Sequence, residues 1–414
     1  MNNTAINNTA FAKEQTKPGY KKTKLGWIPE EWKILKLEDV ARFKNGKGHE
    51  KLIDEDGDFY LVNSKFVSTE GLVFKKTNSQ LVPLEKDNIA IVMSDIPNGR
   101  AIAKCFYVNE SNKYTLNQRI GGLTTKGIDS KYLFYSLNRN RYYLKFDDGV
   151  KQTNLRKQQV LDCPLRIPPL PEQQKIANIL NTWDKAIAAQ EQLIAQKQEL
   201  KKGLMQELLT GKKRFDGFTE EWEEVKLGEL AEVKRGAGSQ YITYVNQEHK
   251  NAIRLIRITD FLSSDSKYIL KTEATERFVL KEGDLLIAGT GATAGISFEV
   301  PKEFSGLVFS YNAPRIRVNK KIMKEFLIYY LKSDMILRQQ LGLFTGNAQP
   351  FLDTKAIRRF RVMLPTVDEQ KKIADVLSSK DKEIDILKEK VEHLKKQKQG
   401  LMQQLLTGEK RVKI

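Results

Sequence analysis

Only two of the 414 residues are cysteine and three are histidine. Cys105 and Cys163 are too few for a disulfide framework or a thiolate metal cluster. They read as two small hydrophobes in a chain of a reducing compartment, and the expected location is the cytoplasm. His49, His249 and His393 are dispersed, with neither metal-ligand spacing nor a nucleophile beside them, and are expected at the surface. No run of about 18 apolar residues occurs, and the opening MNNTAINNTAFAKEQTKPGY lacks the apolar stretch of a secretory signal, so no membrane role is expected. There is no Walker phosphate loop for ATP hydrolysis. Neither Asn-Pro-Pro-Tyr nor Asp-Pro-Pro-Tyr, the base-holding tetrapeptides of amino-methyltransferases, is present. Acidic residues are plentiful but scattered, as on solvated helix faces rather than in a nuclease site.

What the chain has is positive charge and a duplicated text. Lys and Arg number 70 against 52 Asp and Glu, a net charge of +18. Such an excess fits a polyanionic partner, nucleic acid first, although a very soluble surface has the same composition. The duplication decides more. Glu30, Glu31, Trp32, Lys36 and Leu37 match Glu220, Glu221, Trp222, Lys226 and Leu227 at a shift of 190. Ala41, Lys44, Gly46 and Gly48 continue the match to Ala231, Lys234, Gly236 and Gly238, so both halves open with a strand-like segment and a Gly-x-Gly turn. The segments Lys86–Val92 and Glu282–Ala288 match at a shift of 196, and both read as buried strands. From Gly149/Gly346 the shift is 197, and it holds without a gap from Glu172/Glu369 to Arg214/Arg411. Helices and their ends are held while the loops between have diverged, which suits two readers of different targets on one scaffold; an old duplication kept for stability alone is the alternative. The glycine-rich GTGATAG, Gly289–Gly295, lacks Gly-x-Gly-x-x-Gly spacing, and its counterpart MSDIPNG has one glycine. It reads as a turn bringing backbone close to a ligand, not as a nucleotide cradle.

Each ungapped stretch carries a heptad-like seam. In the first it is Ile176, Leu180, Trp183, Ile187, Ile194, Leu204 and Leu208, with polar gaps at Gln190, Lys197 and Lys201. In the second it is Ile373, Leu377, Ile384, Leu387, Val391, Leu394, Leu401 and Leu405. Nearly forty residues give each helix roughly 55 Å. Thr210-Gly211 and Thr407-Gly408 are natural stops. Two matched helices in one chain bury each other's seams most simply as an antiparallel pair; packing of each on its own domain, or dimerisation, are the alternatives. The first helix carries a second apolar line, Ile179, Ala186, Leu193 and Leu200, which is ordinary core or a docking face for a partner protein.

The order of these parts resembles the specificity subunits of Type I restriction-modification enzymes. The likeness rests on the openings LGWIPEEWKILKLEDVARFKNGKG and DGFTEEWEEVKLGELAEVKRGAG, the domain ends PLPEQQKIANIL and PTVDEQKKIADVL, and the helix ends KKGLMQELLTGKKR and KQGLMQQLLTGEKR. It extends from about Lys24 to the last residue. The resemblance implies an α/β protein with two pseudo-repeated target-recognition domains joined by two long antiparallel helices. The expected parts are a disordered tail (1–19), recognition domain 1 (20–171), helical region 1 (172–212), recognition domain 2 (213–367) and helical region 2 (368–414). Such a subunit is not an enzyme. It reads a bipartite target in double-stranded DNA and scaffolds two methyltransferase subunits and motor-nuclease subunits, which hold S-adenosylmethionine, ATP and Mg. The rivals are a stand-alone methyltransferase or nuclease with unrecognised motifs, and an architectural coiled-coil protein that binds DNA unspecifically. The second half has Arg257, Thr259 and Asp260 in RLIRITDF, like the common family segment, whereas the first has YLVNSKF, with Asn63 and Lys65.

Candidate DNA contacts follow from side-chain chemistry. Lys44, Lys47, Lys234 and Arg235 stand in or beside the Gly-x-Gly turns and suit phosphate. Arg100, Asn117, Gln118, Arg119, Arg257, Asn312 and Arg315 bear groups that pair with guanine or adenine edges. Lys151 and Gln152, Thr290 and Thr293, and Asn347 and Gln349 lie in matched polar loops. Because the stretch from Glu172 to Arg214 repeats without insertion, helix length is expected to set the distance between half-sites. One heptad added to both helices, about 10 Å or roughly three base pairs, should lengthen the preferred spacer and leave both half-site sequences unchanged. Selection of bound sequences from a random DNA pool checks this; an unchanged spacer contradicts it.

Overall fold

The computed structural model describes residues 17–96, 99–263, 265–291, 293–343 and 351–414. Residues 1–16 of the expected tail, and Asn347 and Gln349, lie outside them. The chain forms two compact units. Unit 1 combines residues up to 189 with residues 390–414, and unit 2 is residues 190–389.

In unit 1 a four-stranded antiparallel sheet runs Cys105–Tyr107, Ile89–Val92, Ile120–Thr125, Ala41–Asn45. A second sheet has the order Lys76–Thr77, Phe59–Val62, Tyr114–Leu116, Pro83–Leu84, its two central strands parallel. Every residue of Ile89–Val92 is buried because successive side chains serve two cores. Ile89 and Ile91 enter a core shared with the helix Ser130–Leu137 and with Ile176, Leu180 and Leu405; Ala90 and Val92 enter the core under the second sheet. Unit 2 repeats the scheme. Its first sheet runs Ala231–Lys234, Arg315–Val318, Leu285–Ile287, Ser297–Glu299. Its second runs Tyr244–Val245, Lys267–Leu270, Ala252–Ile256, Val308–Phe309, again with one parallel pair. Leu285 and Ile287 face the helical core, and Leu286 and Ala288 the other. The short apolar runs of the sequence are therefore strands buried on both faces. GTGATAG turns the chain from Leu285–Ile287 into Ser297–Glu299, so no helix N-terminus follows it to cradle a phosphate.

The long helices span Leu170–Leu208 and Val367–Thr407, and each contributes a half to either unit. Within each unit the two halves run antiparallel. In unit 2 Lys197 pairs with Glu383 and Lys201 with Asp381, both at 2.5 Å, which explains two of the polar gaps in the first seam. Tyr329 also donates to Asp381, at 2.8 Å. In unit 1 Asp184 receives Lys398 and the Tyr135 hydroxyl, the latter at 2.7 Å.

A buried carboxylate fastens each helix start. Glu172, fully buried, accepts from the Trp32 indole at 3.0 Å and from Arg411 through Nε at 2.7 Å and Nη2 at 2.9 Å. Glu369, equally buried, accepts from the Trp222 indole at 2.9 Å and from Arg214 at 2.9 and 2.7 Å. An unpaired carboxylate there would cost several kcal/mol, and the planar guanidinium matches both oxygens at once. Each carboxylate holds Arg411 or Arg214 above the usual arginine range. Gly211 and Gly408 end the helices with φ of +70° and +74°, as αL caps do.

At the start of the expected recognition domain 1, Tyr20–Thr23 pairs with Gly26–Pro29, and the Tyr20 hydroxyl donates to the Gly408 carbonyl at 2.9 Å. One expectation about the histidines is corrected. His49 is not a surface residue. It is 1% exposed, its Nδ1 2.7 Å from the Lys47 carbonyl and its Nε2 2.9 Å from the Thr115 hydroxyl, so the ring ties the turn to the second sheet. His249 and His393 are exposed.

Both cysteines are buried in the helical core of unit 1. Burial raises both thiols, Cys163 to about 12 and Cys105 further. Since the thiolate is the nucleophile, the native chain should react with iodoacetamide at pH 8 far more slowly than the urea-unfolded chain, its rate climbing as pH rises toward 12. Equal rates folded and unfolded would contradict this burial.

Candidate nucleic-acid interface

In unit 2 the strand Ala231–Lys234 leads into Gly236-Ala237-Gly238. A Cβ on Gly236 would stand 2.2 Å from the Phe309 carbonyl oxygen and 2.4 Å from that of Ser310, so only glycine lets the turn lie against this segment. Ala237 then donates to the Phe309 carbonyl at 2.8 Å, and Tyr311 to the Ala237 carbonyl at 3.0 Å. This pairing leaves the side chains of Tyr311 and Asn312 exposed. The amide of Gly289 donates to the Asn312 carbonyl at 2.9 Å, which brings the hairpin bearing Thr290 and Thr293 alongside. On the other wall, buried Asp260 binds Arg254 and Arg257, each at 3.0 Å, and holds the segment from Leu255 to Thr259. Between the walls is a cleft of about 790 Å³, whose polar lining includes Gln240, Arg257, Thr290, Thr293, Tyr311 and Asn312. Four residues singled out in the sequence, Arg257, Thr290, Thr293 and Asn312, meet there.

Unit 1 builds the same turn from different side chains. A Cβ on Gly46 would stand 1.8 Å from the Asn117 carbonyl oxygen, and Lys47 bridges Asn117 as Ala237 bridges Ser310. Gln118 donates to Glu50 at 2.6 Å, and Gln152 to the Ser94 hydroxyl at 2.8 Å, which in turn donates to Asn154 at 2.7 Å. Asn117 Oδ1 is shielded from solvent and has no hydrogen-bond partner among the described residues. Lys47, Arg100, Arg119 and Lys151 are exposed, Arg119 on a left-handed backbone with φ +66°.

Several candidates have other work. Arg315 is 4% exposed, pairs with Glu232 of the neighbouring strand and lies over Phe309, so it stiffens the sheet and is not placed to read bases. Lys44 is half-buried and donates to the Pro83 carbonyl at 2.6 Å, joining the two sheets; burial holds its amine below the usual lysine range. Lys234 pairs with Glu232 at 2.6 Å, and Arg257 is pinned by Asp260 with a further contact to Asp265 at 3.6 Å. The sequence reading missed Tyr311, Gln240 and Tyr244 in unit 2, and Ser94 and Asn154 in unit 1. Tyr311, an aromatic in a polar loop beside Asn312, carried a usable signal; single polar residues such as Ser94 carried none. Of the second apolar line, Ile179 packs against the core of unit 1 while Ala186 is exposed; in unit 2 Leu193 is half-buried and Leu200 is 52% exposed.

Residues 29–199 and 219–396 both match the model of the Type I restriction modification DNA specificity domain. The chain belongs to that family. It is 27% identical to the Type I restriction enzyme MjaVIII specificity subunit of Methanocaldococcus jannaschii, over 93% of this chain and 94% of that one. It is 25% identical to the putative MjaX specificity subunit of the same organism, over 97% and 98%. Among solved structures, the S subunit of a Type I restriction-modification system from M. genitalium superposes with a TM-score of 0.54 at 16% identity, over 91% of this chain and 96% of that one. A chain from a study of complex assembly and conformational transition in the type I R-M system superposes with a TM-score of 0.60 at 17% identity, over 92% and 99%. This specificity subunit is a non-catalytic, DNA target-recognition protein that works with other subunits of a type I system. No helix among its described residues is long and apolar enough to cross a membrane.

Proposed function

We propose that each unit reads one half of a split DNA target through the loops around its Gly-x-Gly turn. The observation that carries this reading is the unit 2 cleft, where one glycine-locked backbone gathers half-buried Thr290 and Thr293 with exposed Tyr311 and Asn312. The same backbone in unit 1 presents Lys47, Gln118 and Gln152. Equal scaffolds with unequal side chains fit a target whose halves differ. Side-chain amides and hydroxyls supply both donors and acceptors for base edges, while Lys47, Arg100, Arg119 and Lys151 supply charge for phosphates.

The specificity subunit further scaffolds two methyltransferase subunits and the motor-nuclease subunits, which hold S-adenosylmethionine, ATP and Mg, in the cytoplasm. The half-exposed Leu200 supports a docking face on the first long helix, with Leu193 beside it. Ala186 continues that line in unit 1, whereas Ile179 serves mainly the core.

A salt titration of DNA binding tests the reading. Each neutralised phosphate contributes about −0.9 to the slope of log affinity against log salt, so several contacts should give a steep loss, with preference for one sequence persisting throughout. Equal affinity for all sequences would make the protein an unspecific architectural binder, and methyl transfer by the isolated chain would remove the scaffold role.

A further inference from the structure

The cationic groups behind the unit 2 cleft differ in whether their charge is already spent. Arg254 and Arg257 are committed to Asp260, Arg315 to Glu232 and Arg317 to Asp284. Arg235 is held differently. Its guanidinium carbon lies 4.4 Å from the centre of the Tyr311 ring and 5.2 Å from that of Phe351, and among the described residues no carboxylate pairs with it. Both rings are large apolar surfaces left open, Tyr311 43% and Phe351 48% exposed. Tyr311 lines the cleft, and Phe351 is bridged to the cleft residue Thr290. Arg277, on Tyr241 and Phe278, is also ring-held, but neither it nor those rings line the cleft.

Two features distinguish Arg235 from a loose surface cation. The residue after it is Gly236, whose close approach to the Phe309 and Ser310 carbonyls fixes the backbone from which the side chain leaves. Contact with two rings restrains the guanidinium and spends none of its charge. One terminal nitrogen meets the Tyr311 hydroxyl, and among the described residues the edge formed by Nε and the other terminal nitrogen has no hydrogen-bond partner. Two parallel N–H donors on a rigid fork match the O6 and N7 acceptors on the major-groove edge of guanine. At the equivalent places unit 1 has Asn45 and Gln118, neither a cation nor a ring.

We propose that Arg235, held against Tyr311 and Phe351, is the guanine-reading residue of unit 2, so that this unit's half-site contains a guanine that the unit 1 half-site does not have at the matching place. The proposal rests on the reading of the cleft as a base-reading face. Selection of bound sequences from a random DNA pool by the full chain tests it, with the variants Arg235→Ala, Arg235→Lys, Asn312→Ala and Asn45→Ala. Arg235→Ala should erase the preference for guanine at one position of one half-site, by between about fivefold and 150-fold, with every other position retained. Arg235→Lys should keep the affinity and lose most of that preference, because a point charge replaces the fork. Asn45→Ala should leave that position untouched. A loss of affinity shared by all sequences would make Arg235 a phosphate contact and overturn the proposal. An unchanged motif with Arg235→Ala but an altered one with Asn312→Ala would overturn the proposal and leave the cleft reading standing. An unchanged motif with both would overturn the two together.

Discussion

Each unit depends on one buried carboxylate at the start of a long helix. Glu172 is met by Trp32 from the opening of unit 1 and by Arg411 from close to the end of the chain, 239 residues on. Glu369 is met by Trp222 and by Arg214, 155 residues earlier. The repeat places Glu172 with Glu369 and Arg214 with Arg411 at one shift, yet the ion pairs are crossed: the carboxylate of one copy takes the guanidinium of the other. Such a clasp makes a unit complete only when segments from both copies are present. Within unit 1 the clasp and the Asp184–Lys398 pair act on the same two helix halves, so a residue inserted between Glu172 and Asp184 alone would put one contact out of step with the other.

Around this fixed frame the loops are free to differ. The glycine turns are the exception, since at Gly46 and Gly236 no other residue allows the backbone approach that sets up the exposed walls. Charge inside the second unit serves architecture first: Arg254, Arg257, Arg315 and Arg317 each balance a carboxylate before any ligand arrives. The net charge of +18 is thus a poor guide to which cations face a target, and the partners of each cation are a better one.

The repeat, the buried strands, the helix seams and their glycine ends were legible because each rests on periodicity or on a residue type with one dominant use. Ile89–Val92 and Leu285–Ile287 were found from apolar runs, although the run could not say that alternate residues feed two cores. Of the site, Arg257, Thr290, Thr293 and Asn312 were found and do converge. Arg315 and Lys44 were misread because sequence does not show that Glu232 and the Pro83 carbonyl stand opposite them. His49 was misread for the same reason, its partners Lys47 and Thr115 being brought together by the sheet. Lys201 stood as a gap in a seam until Asp381 appeared across from it.

The crossed carboxylate clasp closes each unit, and a double-mutant cycle on Glu172 and Arg411 tests this most directly. Unfolding of the full chain is measured for the wild type, Glu172→Gln, Arg411→Met and the pair. The predicted result is a coupling on the order of 2 kcal/mol, with the double variant little worse than either single one. Strictly additive losses would show that the two residues act independently, and would contradict the claim.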